Sequence, residues 1–229
     1  MAIFLLTGCG KKEPPPRQKH SGTIYFGVET PFHGFDILGS GGMLIPSMAA
    51  VNNLIQERLF RMDQAGNLIP VLGLSATPLE NGGYWDIKLR QGVLFHDGTT
   101  FNADAVVHHW ARMLNPENKF KGRKFFQPVR KVEKIDAYTV RFFLDHPWPP
   151  FLKTLSNELY FAAYIPSPKA VVEGSHDKKP VGTGPFKYHK WNSGDHFIVL
   201  KNQHYRQKDK PYLNKIVFRS IPDQQTRYA

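Results

Sequence analysis

Tyr84 to Arg90 (YWDIKLR) alternates without a break, with Trp85, Ile87 and Leu89 on one side and Asp86, Lys88 and Arg90 on the other. Successive side chains of a strand point to opposite faces, so the stretch reads as a half-buried strand, apolar toward a core and charged toward water. A one-residue slip in register would bury the charged set, so the sheet built around it has little freedom. A tight turn at His96-Asp97-Gly98 follows, and the period then changes. Asn102 caps a helix through Leu114, with Val106, Val107, Trp110, Met113 and Leu114 as its apolar stripe and Asn115-Pro116 as its stop.

The rest of the chain mixes both kinds of element. Thr23 to Val28 reads as a strand with Ile24, Phe26 and Val28 on one face, and the Gly-rich stretch Gly39-Ser40-Gly41-Gly42 lies further on. From Ser47 to Phe60, Met48, Val51, Leu54, Ile55 and Leu59 recur at helical spacing, with Ser47 as the expected N-cap. Asp63 to Asn67 is a turn. Val129 to Ile135 and Tyr138 to Leu144 read as paired strands around Asp136-Ala137, and Pro150 to Leu155 as a short helix started by proline. Glu173 to Lys179 is expected to be a polar surface loop. Phe186 to Trp191 and His196 to Lys201 form a hairpin around Asn192-Ser193-Gly194-Asp195, and Leu213 to Ile221 is the last strand. Pro222 to Ala229 starts like a helix, with Asp223 in its first turn, and stops after about two turns, too short to stand alone.

Leu6-Thr7-Gly8-Cys9 resembles a bacterial lipobox, and Cys9 is the only cysteine. The expected modification is diacylation of the Cys9 thiol, each buried methylene contributing about 0.8 kcal/mol to membrane attachment. Residues 10–20 (GKKEPPPRQKH) then form a solvated tether stiffened by prolines. Only Met1 and Ala2 precede the apolar run, so the true start of the signal is expected upstream. A single cysteine excludes an internal disulfide and a cysteine-based zinc site. No run approaches the roughly 18 apolar residues that span a bilayer.

Four blocks, in order, carry a resemblance. They are Gly66 to Leu72 (GNLIPVL); Leu89 to Gly98 (LRQGVLFHDG) with Phe101 to Val106 (FNADAV); Gly182 to Phe186 (GTGPF) with Trp191 and Asn202 to Tyr205; and Pro211 to Arg227 (PYLNKIVFRSIPDQQTR). Together they resemble the extracellular solute-binding protein family 5, the peptide-, nickel- and oligosaccharide-binding components of bacterial ABC importers. The resemblance implies an α/β fold of the periplasmic-binding-protein type II, with two lobes closing on a ligand and an extra subdomain in the first. It implies a division into a signal remnant and tether (1–20), a discontinuous main lobe (21–46 plus 181–229) and an inserted subdomain (47–180). It also implies that this chain is the N-terminal half, with the second lobe absent. The implied work is capture without chemistry: a peptide or similar small solute is bound outside the cytoplasmic membrane and handed to the ABC permease subunits, with no cofactor. A nickel or metal-chelate receptor of the same family, or a lobe kept as a non-transport interaction module, is the alternative.

The blocks themselves read as scaffold: Gly182 and Gly184 give the backbone freedom just before a strand. Ligand contacts are expected elsewhere. Ser40, Gly41, Gly42 and Met43 offer backbone N–H groups in the loop after the first strand, against the plain alternative of a flexible connector. Trp148 could form a platform for a flat or cationic group, with core packing as the other reading. Arg123, beside Lys124, could meet a carboxylate, or simply belong to a solvated basic face. A metal cage is disfavoured because His108 and His109 are adjacent and diverge by about 100° on a helix. No Gly-x-Ser-x-Gly elbow or His-Glu-x-x-His helix points to a hydrolase. The net charge of +11 invites nucleic acid, but the basic residues are dispersed, with only short clusters such as Lys119 to Lys124. The charge fits attraction to anionic lipid or anionic ligands better.

Overall fold

The computed structural model describes residues 21–38, 46–156 and 163–228. Cys9 and the 40–43 loop therefore lie outside the described residues. In chain order, β1 (Thr23–Val28) leads to α1 (Pro46–Ile55) and three short strands, β2 (Glu57–Arg58), β3 (Phe60–Met62) and β4 (Leu68–Pro70). Next come β5 (Gly73–Leu79), β6 (Tyr84–Leu89), α2 (Ala103–Leu114), β7 (Val129–Asp136), β8 (Thr139–Leu144) and α3 (Phe151–Ser156). The chain continues through β9 (Tyr164–Ile165), α4 (Pro168–Val172), β10 (Phe186–Asn192), β11 (His196–Lys201), β12 (Lys215–Ser220) and α5 (Gln224–Tyr228).

Two four-stranded sheets organise these elements. One has the order β5-β6-β8-β7 and is antiparallel throughout. In β6 the expected alternation holds: Ile87 and Leu89 are buried, and Asp86 faces Arg141 across the strand pair, 2.6 Å from its Nε. Helix α2 lies on β7 and β8, and Trp110 meets the edges of Phe126 and Phe142 at 5.1 and 5.2 Å. Asn102 caps it as expected, its Oδ1 accepting from the Ala105 N–H at 3.2 Å. The other sheet has the order β1-β12-β11-β10, with β1 parallel to β12 and the rest antiparallel. Phe197, Val199 and Phe218 line its inner face, where Phe32 and Phe35 pack against them.

Several local expectations change. The helix expected over 47–60 runs Pro46–Ile55, so Ser47 falls within its first turn rather than at its cap. It ends because the Ile55 carbonyl accepts from Gly184 N–H at 2.9 Å and Glu57–Arg58 pair with Ile165 and Tyr164 as strands. Strand β5 has no alternation to announce it, and its Pro78 is tolerated because β5 is an edge of its sheet. The segment 173–179 is more than a surface loop. His176 is buried, and the Asp177 carboxylate accepts from the Phe35 and Asp36 N–H groups at 3.1 and 3.2 Å, tying the loop after β1 to the segment that follows α4. Asp223 sits before α5 and caps it, accepting from Thr226 N–H at 2.8 Å.

Gly182 and Gly184 have a different reason from the one expected. Neither has a positive φ; a Cβ at Gly182 would overlap the Ile55 carbonyl oxygen, and one at Gly184 that of Leu54. The backbone before β10 lies directly against the end of α1, and only glycine permits the approach.

Candidate functional site

Glu57 is the centre of the polar site. It stands on β2, in the two-residue strand that follows α1, and is 6% exposed. A buried carboxylate persists only if its oxygens are filled. Thr183 Oγ1 donates to one oxygen at 3.0 Å, while Tyr205 OH and Arg206 Nη2 donate to the other at 3.0 and 2.9 Å. Thr183 comes from the segment leading into β10, and Tyr205 and Arg206 from the segment after β11. The Glu57 charge and, foremost, burial push the Tyr205 phenol above its usual range, so it stays a donor. Asn202 ties the same segment down, its Nδ2 donating to the Gly184 carbonyl at 3.0 Å.

Arg58 points the other way. Its guanidinium donates to the Ser156 carbonyl at 2.9 Å and to Asn53 Oδ1 at 3.3 Å, and lies 5.0 Å from the centre of the Tyr164 ring. Tyr164 OH donates to the same Asn53 oxygen at 2.8 Å. Between these two arms lies a cavity of about 270 Å³, also lined by Gln56, Arg61 and Gln207. The arrangement can hold a polar or charged group by hydrogen bonding.

Of the residues expected from sequence, Trp148 and Arg123 are described, and neither lines this cavity. Trp148 is half-buried, 6.2 Å from the Phe151 ring centre, and borders a second groove of about 400 Å³ with Pro78, Asn81, Gly82, Trp85, Pro147 and Pro149. Arg123 is exposed on a 3-10 turn over residues 121–126. His109 is buried on α2, and His108 is half-buried beside it, its pKa lowered by burial and by Arg112. Among the described residues, no three His, Cys, Asp or Glu side chains converge to hold a metal ion, and no helix is long and apolar enough to cross a membrane. Glu57 and Arg206 were missed from sequence. The only signal was a Glu-Arg pair breaking the apolar spacing after α1.

Residues 67–229 match the family of bacterial extracellular solute-binding proteins, family 5 (Middle). The chain belongs to that family. Its fold is that of type II periplasmic binding proteins, of which it carries a part. The glutathione-binding protein GsiB of Pectobacterium atrosepticum is 36% identical over 178 residues, covering 76% of this chain and 34% of GsiB. Among solved structures, DppA of Helicobacter pylori in complex with the peptide STSA is 28% identical with a TM-score of 0.77, over 92% of this chain and 45% of DppA. AgaA of A. tumefaciens R10 in complex with agropinic acid is 27% identical with a TM-score of 0.80, over 90% of this chain and 41% of AgaA. The chain thus spans about a third of the length of the curated relatives it matches. These relatives are binding proteins, not enzymes.

Proposed function

We propose that this chain is part of the substrate-binding component of an ABC importer, which captures a peptide or similar small solute outside the cytoplasmic membrane and delivers it to the permease. The observation that carries the reading is the alignment of about nine-tenths of the chain with ligand-bound receptors of one fold. In this reading residues 21–46 and 181–229 belong to the main lobe, and 47–180 form the inserted subdomain. The loop Ser40 to Met43, Arg123 and Trp148 are candidate ligand contacts. Closure of two lobes traps the solute only if the closed state touches it more tightly than the open one. Lipidated Cys9 would hold the receptor at the membrane.

The test is uptake. Deleting the gene that encodes this chain should abolish import of a defined set of short peptides by the source cells, and the purified whole protein should bind them saturably without turning them over. Unchanged uptake together with no solute binding would overturn the reading. For the anchor, intact-mass measurement of the native protein extracted from membranes should show acyl chains on Cys9, and an unmodified thiol there would remove the anchor from the proposal.

A further inference from the structure

Residues 119–131 (KFKGRKFFQPVRK) hold six Lys and Arg side chains and no Asp or Glu. All six are exposed. The stretch contains the 3-10 turn over residues 121–126, and in such a turn side chains three residues apart eclipse. Lys121 and Lys124 therefore leave it on one side. Phe126, at its end, is buried and meets Trp110 of α2 at 5.1 Å, so the turn is fixed to the core. Phe120 braces it from the other end, its ring so close to Gly122 that a Cβ there would overlap it. Further along, Lys131 pairs with Glu133 at 2.6 Å. Among the described residues no carboxylate lies within ion-pair distance of Lys121 or Lys124. The Lys124 Nζ instead lies 5.2 Å from the centre of the Phe125 ring.

We propose that the Lys121 and Lys124 face of this turn, with Lys119 next to it in the chain, is a docking surface for anionic lipid headgroups. A fixed face of cations without carboxylate partners complements an extended negative surface. Each Lys within a Debye length of such a surface strengthens attachment by about fivefold. Neither cavity described above takes a lining residue from 119–131, which favours a surface over a small enclosed anion. Half-buried Phe120 and Phe125 stand among the lysines, and aromatic rings beside cations suit the headgroup level of a bilayer. Nucleic acid is the other extended anion, but the matched family is extracellular, and the choice of lipid rests on the extracytoplasmic reading above.

The experiment is cosedimentation of the 229-residue chain with vesicles of phosphatidylcholine, alone or with about 30% phosphatidylglycerol, in about 0.1 M NaCl, where charges act over about 10 Å. Lys121→Gln with Lys124→Gln is compared with Lys179→Gln with Lys208→Gln, a second exposed pair that lowers the net charge equally. All four side chains are exposed, so both variants keep the fold, and Tm values matching the parent's verify it. The expected result is binding that needs phosphatidylglycerol, weakened by about tenfold or more in the first pair and by less than about threefold in the second. Binding that ignores phosphatidylglycerol would overturn the proposal. So would an equal loss in the two pairs, which would assign the binding to net charge alone. A first-pair variant that loses affinity for a short DNA duplex but keeps its vesicle binding would also overturn it, giving the face to nucleic acid. None of these outcomes bears on solute uptake by the source cells, so failure of this surface and failure of the receptor reading remain distinct.

Discussion

Gly184 joins the segment before β10 to the end of α1 through its backbone. Its N–H donates to the Ile55 carbonyl at 2.9 Å, its own carbonyl accepts from Asn202, and its Cα hydrogens face the backbone of residues 54 and 55. The atoms that a methyl group would strike are backbone, which cannot rotate away. Gly184→Ala is therefore expected to destabilise the chain by about 2–3 kcal/mol, in the upper range for overpacking. Gly174 is the control: its φ of +69° strains an alanine, yet nothing lies within 4 Å of the added Cβ. Gly174→Ala should cost only about 1–2 kcal/mol, from the left-handed backbone alone. Urea unfolding of both variants decides it, and a Gly184→Ala cost no greater than that of Gly174→Ala would mean this contact is not rigid. The same contact explains the position of Glu57, because the segment that brings Thr183 to the carboxylate is the one that Gly182 and Gly184 allow against α1.

At the scale of elements, two turns are docked by neutral histidines. His96, between β6 and α2, has Nε2 2.9 Å from the Gly184 carbonyl, while its Nδ1 accepts from Gly182 N–H at 3.4 Å. His176, after α4, accepts from Val181 N–H at 3.2 Å. Burial pushes both down to about 4 from an ordinary 6.5; at His176 Asp36 opposes the shift and Arg112 adds to it. In the unfolded chain both rings protonate as the pH falls through about 6.5, while in the fold they stay neutral down to about 4. Their contribution is therefore complete above the upper value and is lost as the pH falls through that window, at up to about 1.4 kcal/mol per pH unit for each ring. Urea-derived stability measured from pH 7 to pH 4 should show this decline, and His96→Gln should reduce its slope by about one proton's worth. An unchanged slope in the variant would remove His96 as a cause. These docking turns also show how much could be read in advance. Elements β6 and α2 are legible in the sequence because strict alternation and a capped apolar stripe are local properties. Leu59 continues the helical spacing of α1 toward Phe60, while the reason for stopping, pairing of Glu57 with Ile165, lies 108 residues away. Strand β5 was missed because Gly73, Ser75 and Pro78 look like loop residues when the partner strand is not in view. The polar cavity was invisible for the same reason, since its walls come from residues 53–61, Val71, Tyr164, Pro185 and residues 205–207.

At the scale of the whole molecule, β1 is a sheet edge with exposed apolar side chains among the described residues. Strand β1 is the terminal strand of its described sheet and pairs only with β12, and Ile24, Tyr25 and Phe26 on it are 47%, 67% and 50% exposed. Such an edge presents unpaired backbone groups beside apolar side chains, a template for pairing with another chain. The net charge of +11 opposes this, because two copies repel each other at the distances where edges begin to meet. The balance therefore depends on salt. At low ionic strength repulsion keeps the 229-residue chain monomeric. At about 0.5 M NaCl the screening length falls to about 4 Å, and edge pairing of β1 is expected to win. Sedimentation velocity on the two buffers should show mass increasing with salt, opposite to what a complex held by ion pairs would do. Ile24→Lys places a charge on the edge at an exposed position and should hold the chain monomeric in both buffers. Association that weakens with salt, or that persists unchanged in Ile24→Lys, would place the sticky surface elsewhere than β1.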